Sequence, residues 1–268
     1  MKAGGLRCAG RAPDGFLAFQ ARRLATGLSW AVFGIGGLAL TLTWFHWLNF
    51  AEKDPERRVL RARRTISSSF RLYLAFLRAI GVADIDASAL RSLREKKGTV
   101  IASNHPTLLD YVFVASELPE VDCVVKAELS RNFFLKGVVK AADYMLNSEN
   151  PADLIEDARA RLGRGHCILI FPEGTRTKPG VRMKLRRGAA QIALRTGAET
   201  ELIHIKCSDE WLTKGALWHR IPPGRPVIRI ERAGVLSPAE FWDGREETLP
   251  AAARAMTARL SESLAETP

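Results

Sequence analysis

From Leu24 to Ala51 the chain carries no Asp, Glu, Lys or Arg. A stretch that apolar must either be buried by protein or sit in lipid, and in lipid only a helix satisfies its own backbone. As a helix it spans roughly 40 Å, against a hydrocarbon core of about 30 Å, so it is long enough to cross a bilayer with some tilt. Trp30 near one end and Trp44 and Trp47 near the other stand where an interfacial aromatic belt would. A cleaved signal peptide fits poorly. The run is too long and too far from Met1, and no small-x-small cleavage site follows it. Both flanks are basic, with Lys2, Arg7, Arg11, Arg22 and Arg23 before and Lys53, Arg57, Arg58, Arg61, Arg63 and Arg64 after, so charge does not set an orientation. Gly34, Gly36 and Gly37 offer a break at which the segment could instead dip into one leaflet and return.

The remaining length, in a chain of 268 residues, suits one α/β domain. An apolar fraction of 47% with 26% charged residues supports a buried core. The net charge of +11 calls for an anionic partner. No zinc-finger spacing or RNA-recognition run is present, and the densest basic stretch abuts the apolar segment, which favours lipid over nucleic acid. Cys8, Cys123, Cys167 and Cys207 are widely spaced, which suggests neither a disulfide framework nor a metal site and fits a reducing compartment.

After Pro55, Leu60, Ile66, Phe70, Leu74 and Leu77 recur at helical spacing between arginines, which reads as a basic amphipathic helix over 56–80 on the membrane surface. Beyond Gly98, short apolar runs alternate with helical stretches. Strands are expected at 100–103, 121–126, 167–171, 202–207 and 227–231, with helices at 107–118, 131–142, 152–162, 187–196 and 246–265. The expected organisation is an anchor and amphipathic helix over 1–80 and a catalytic domain over 81–268. The expected fold is α/β, a mixed, largely parallel sheet flanked by helices.

Two motifs carry chemistry. Asn104-His105-Pro106-Thr107-Leu108-Leu109-Asp110 leaves one strand and enters a helix. Asp110 sits where a capping-box acid would, three residues after Thr107, and it could equally fix the tautomer of His105 and leave the other ring nitrogen to remove a proton from an alcohol. Phe171-Pro172-Glu173-Gly174-Thr175-Arg176-Thr177 follows another strand. It reads either as a plain turn or as an anion-holding loop in which Arg176 makes bidentate bonds. No G-x-S-x-G elbow and no phosphate-binding G-x-x-x-x-G-K loop is present.

Together the motifs resemble the lysophospholipid acyltransferases related to 1-acyl-glycerol-3-phosphate acyltransferase. Further agreement lies at Val125-Lys126-Ala127-Glu128-Leu129, at Phe134 and Gly137, and at Lys184-Leu185-Arg186-Arg187-Gly188-Ala189-Ala190. The resemblance implies an acyltransferase domain in which His105 is the general base and Asp110 orients it. Asn104, Lys126, Glu173, Gly174, Thr175, Arg176, Lys184 and Arg187 are then the candidate substrate-binding residues. It implies an acyl-CoA or acyl-carrier-protein thioester as donor, the hydroxyl of a lysolipid as acceptor, and no metal or redox cofactor. A bacterial inner membrane, with the domain on its cytoplasmic side, is the expected location.

Two departures bear on the acceptor. Members acting on lysophosphatidic acid carry an arginine after the second helix, and here Asp143-Tyr144-Met145-Leu146-Asn147-Ser148 has no cation. His204 stands where the family's later strand has a proline, and it reads as a hydrogen-bonded strand residue. A non-phosphate acceptor resembling a lyso-ornithine lipid, or a specialised acyl chain, is therefore an alternative, and a non-catalytic lipid-binding protein is the alternative from another class.

Overall fold

The computed structural model describes residues 9–147, 150–217 and 219–265, without the side chains of Leu129 and Pro151. Lys2, Arg7, Cys8, Ser148 and the Leu129 side chain lie outside what is described. The apolar segment is a helix that begins at Phe16, earlier than its uncharged stretch, and reaches Ala51: α1 (Phe16–Leu40), a π-helical turn (Thr41–Phe45) and α2 (His46–Ala51). By length and composition it could cross a membrane. Arg22 lies within it and is buried, donating to Asp14 and to the carbonyls of Pro222 and Pro223.

No break occurs at the three glycines. Gly34 and Gly37 instead face Phe134, 3.6–3.8 Å from where a Cβ would stand, so the missing side chains let α1 approach the domain while its own hydrogen bonds continue. Phe33 stacks on Phe70 (6.2 Å between centroids) and tilts against Tyr73, which holds α1 along helix α3 (Pro55–Ala79). Asp54 caps α3 by accepting from the amides of Glu56 and Arg57, with Pro55 at its first position. Ile66, Leu74 and Leu77 bury their side chains, as the spacing predicts. Arg63, counted among the membrane-facing cations from sequence, is instead buried and paired with Asp122.

Seven strands form the sheet: β1 (Asp84–Asp86), β2 (Val100–Ser103), β3 (Asp122–Lys126), β4 (Met145–Asn147), β5 (Ile168–Ile170), β6 (Thr200–Cys207) and β7 (Val227–Leu236). Their spatial order is β1-β7-β6-β2-β5-β3-β4, and every neighbouring pair is parallel except β6 and β7. The mixed, largely parallel α/β sheet is thus as expected, with two strands more than the pattern suggested. β1 and β4 have only three residues each, too few for a period-two signal. Helix α4 (Asp110–Glu117) starts three residues later than expected. Asn132 accepts from the amides of Phe134 and Leu135, turning the chain so that α5 (Lys136–Ala141) also starts late.

Side chains alternate across the sheet. Ile101, Leu169, Ile203 and Ile205 pack with α3, α4 and the α1–α2 side chains Phe45 and Leu48. Val100, Ala102, Ile168, Ile170 and Leu202 pack against α6 (Pro151–Gly163), α7 (Gly188–Thr196) and α8 (Leu249–Ala265). Both faces are covered, as parallel strands require.

Candidate active site

β2 and β5 are adjacent and parallel, so the loops that leave their C-terminal ends emerge side by side. Ligands of open α/β sheets bind at that edge. One loop is Asn104–Leu109 and the other Phe171–Arg187. Their neighbourhood follows from strand order and not from chain distance.

Asn104 is buried and continues the β2–β6 ladder with its amide: Nδ2 donates to Ile205 O (2.9 Å), and Oδ1 accepts from Ile205 N (2.7 Å). It anchors the start of the loop. His105 then turns its Nδ1 to Asp110 Oδ2 at 2.7 Å. The same Oδ2 accepts from Thr107 N (2.8 Å), Oδ1 accepts from Thr107 Oγ1 (2.6 Å), and Leu109 N donates to Thr107 Oγ1 (3.2 Å). The helix begins only at Asp110, with Leu109 as its N-cap and no side-chain cap, so the expected capping box is instead a turn ahead of the helix in which Thr107 holds rigid the carboxylate that meets the imidazole. A carboxylate that accepts from its other neighbours accepts from Nδ1–H as well, which leaves Nε2 as the basic nitrogen. The Asp110 side chain is fully buried and that of His105 is 21% exposed, so the ring can be reached.

The second loop supports the first. The Phe171 ring stacks on the His105 ring, with centroids 4.2 Å apart and an interplanar angle of 23°. Glu173 Oε1 accepts from the His105 backbone N (2.6 Å), and Oε2 accepts from Thr177 Oγ1. Burial raises the Glu173 pKa above the ordinary 4.5, with the hydrogen bonds from Thr177 and His105 N opposing it. Gly174 has φ +67, and a Cβ there would stand 2.9 Å from Arg186 Nε, so glycine is required twice over. Arg186 N donates to Pro172 O (2.7 Å), folding the end of the loop back onto its start.

Arg176 is half-buried, and its Nη1 donates to the carbonyls of Leu212 (2.9 Å) and Thr213 (3.1 Å). Leu212 O also accepts from Leu108 N (3.1 Å). A third segment, 208–213 after β6, thus ties both motifs together through a leucine at φ +53. Sequence reading missed it, because a β-branch-free apolar residue in a left-handed conformation leaves no local signal. Asp14 N and Arg22 in turn grip Pro222 and Pro223 in the same β6–β7 connection, linking the apolar helix to the site.

Of the other candidates, Lys126 is exposed at the end of β3 and pairs in register with Asn147, beside the position that lacks a cation. Asp143 there has φ +49, where a glycine would be relaxed, and its carbonyl accepts from Arg63 and Arg161. Thr175 is partly exposed on the second loop, and Lys184 and Arg187 are exposed before α7. Among the described residues Lys126, Lys184, Arg186 and Arg187 have no acidic partner. His204 is buried, with Nε2 donating to Ser263 O (2.6 Å). No group of three or more His, Cys, Asp or Glu suited to a metal ion occurs among the described residues.

Fold and paired loops together define an α/β domain with a His–Asp pair at the C-terminal edge of its sheet. The fold is shared with the 1-acyl-sn-glycerophosphate (LPA) acyltransferase PlsC of Thermotoga maritima, with a TM-score of 0.64 over 91% of this chain and 94% of that one at 18% identity. Residues 84–207, which include both motifs, match the family described as Acyltransferase. A 1-acyl-sn-glycerol-3-phosphate acyltransferase of Cocos nucifera is 31% identical over 99 residues, 35% of this chain and 32% of that enzyme.

Proposed function

We propose that this protein is a membrane-associated O-acyltransferase that moves a fatty acyl group from a CoA or carrier-protein thioester to the free hydroxyl of a lysophospholipid such as 1-acyl-glycerol-3-phosphate. The observation that carries this reading is the His105–Asp110 pair: Nδ1 is held by a buried carboxylate, and Nε2 is left basic and accessible. Nε2 takes the proton of the acceptor hydroxyl as its oxygen attacks the thioester carbonyl. Collapse of the tetrahedral intermediate breaks the C–S bond, and the imidazolium returns the proton to the departing thiolate. Asp110 stabilises the imidazolium between these steps. A positioned base contributes about 10²–10⁴-fold, and alignment of the two substrates must supply much of the remainder.

Arg176 has Nε and Nη2 left for an anionic acceptor after Nη1 is spent on the 212–213 carbonyls. Glu173 serves as the strut between His105 and Thr177. The apolar helix supports a membrane location, since Leu24, Leu28, Ile35, Leu42, Trp47 and Phe50 are exposed on its outer side while its inner side follows α3 and α5. A second reading, a non-phosphate lysolipid acceptor, is favoured by Asn147 in place of an arginine.

The test offers the detergent-solubilised protein a panel of phosphorylated and neutral lysolipids with acyl-CoA or acyl-carrier-protein donors, alongside His105→Ala. Transfer is expected with at least one pair, and the variant loses it. Equal activity in the two proteins rules out the catalytic assignment, and no activity with any pair moves the reading to a lipid-binding protein.

A further inference from the structure

Helices α6 and α7 both begin at the C-terminal edge of the sheet and run to the opposite edge, so they lie parallel to each other. The seam between them is open, forming a cavity of about 740 Å³ along positions 152, 155, 156 and 159 of α6 and 188, 191, 192 and 195 of α7. Those spacings of three, four and seven place one face of each helix on the seam. Ile155 and Ile192 line its floor. Arg159, Arg186 and Arg195 stand around it, with Glu156 the acidic residue of its lining and Glu246 paired with Arg195 from outside it at 3.3 Å, which leaves the rim net cationic. Arg186 connects the seam to the active site, because its side chain packs over Gly174, the residue next to the Glu173 strut.

A seam between parallel helices, with an apolar floor and cationic rim, has the shape and charge to receive a third helix that is apolar on one ridge and acidic on its flanks. A planar bilayer does not enter a concave seam. A second copy of this chain, at net charge +11, would bring like charge to it. The reaction itself needs a thioester brought to His105 from outside the membrane. We propose that the α6–α7 seam docks an acidic helix of an acyl carrier protein and so presents its thioester across Gly174 to His105. This rests on the acyl-transfer reading above and selects the donor that reading leaves open.

The experiment titrates the full-length protein in detergent with fluorescently labelled holo-acyl carrier protein and follows anisotropy at low and high salt. Wild type is compared with Ala152→Trp, which fills the seam, with Arg159→Glu, which reverses its rim, and with His105→Ala. Positions 152 and 159 are exposed, so both seam variants are expected to keep the wild-type melting temperature. Saturable, salt-weakened binding is expected for wild type and His105→Ala, and binding weaker by about tenfold or more for the seam variants. In the transfer assay those two variants should lose a similar factor with the acyl-carrier donor and stay within about twofold of wild type with acyl-CoA. Absence of carrier binding to wild type, or equal binding by the seam variants, overturns the proposal, as does an equal loss with both donors. If neither donor supports transfer in any protein, the acyl-transfer reading fails, and the binding titration alone decides the docking.

Discussion

Among the described residues, two histidines are held against buried aspartates, one at each edge of the sheet. At the C-terminal edge His105 Nδ1 lies 2.7 Å from Asp110, and at the N-terminal edge His166 Nδ1 lies 3.0 Å from Asp122. Both carboxylates are fully buried, and the two imidazoles are 21% and 18% exposed. What differs is the company each aspartate keeps. Asp122 is also paired with Arg63 and Arg161, while Arg161 reaches Asp143 and Asp157 as well. Its charge is already matched by two cations. Asp110 receives only the neutral donors of Thr107 besides the imidazole. Its charge is thus directed at His105. Two His–Asp contacts of similar length and burial thus sit in different charge environments, one aspartate shared among cations and the other held by neutral donors.

The sharpest break in the comparison is catalytic. Replacing His105 with Ala is expected to lower kcat/KM by about two orders of magnitude or more, whereas His166→Ala stays within about twofold of wild type. Comparable losses in the two variants would remove the distinction between the edges. Next in size is stability. Asp122→Ala leaves two guanidinium groups without their shared buried partner and should cost about 3–5 kcal/mol in denaturant unfolding, whereas Asp110→Asn, which retains a side-chain acceptor for the Thr107 turn, should cost about 1 kcal/mol while losing most activity. A smaller effect is expected at Arg176. Its replacement by Ala should raise KM for a phosphorylated acceptor by about tenfold and affect a neutral acceptor less.

The smallest effect concerns pH. Glu173 has a raised pKa because it is buried, so its protonated form is favoured in the fold relative to the unfolded chain. Its contribution is most favourable below the ordinary 4.5 and is lost as pH rises through the higher folded value. The melting temperature of wild type relative to Glu173→Gln should therefore fall as pH is raised from about 4 to about 8. A difference that stays flat or rises would contradict the desolvated carboxylate.

Much of the site was legible because its parts are local. Asn104 to Asp110 forms a strand end, a turn and a helix start within seven consecutive residues, and Gly174 marks a turn that few other residues could make. The sequence also left two roles open for Asp110, cap or orienting acid; the helix has no side-chain cap, and the carboxylate instead joins the Thr107 turn to the His105 ring. His166–Asp122, the Glu173 strut and the Leu212 tether were not legible. Each joins residues 36 to 104 positions apart, or passes through a backbone carbonyl that no side-chain pattern reports. β1, written Asp84-Ile85-Asp86, and β4 owe their strand conformation to the neighbours they pair with.

By itself the amino-acid order determined the apolar helix, the alternation of strands and helices, and the two loops with their chemical groups. All of these depend on spacing along the chain, through hydrophobic periodicity and capping. Only the tertiary structure decided which loops face each other and which arginines are paired. It likewise showed that the aspartate at one edge is matched by cations while its counterpart serves a single imidazole. Those outcomes depend on strand order and burial, where distant residues become neighbours and charges removed from water must be matched.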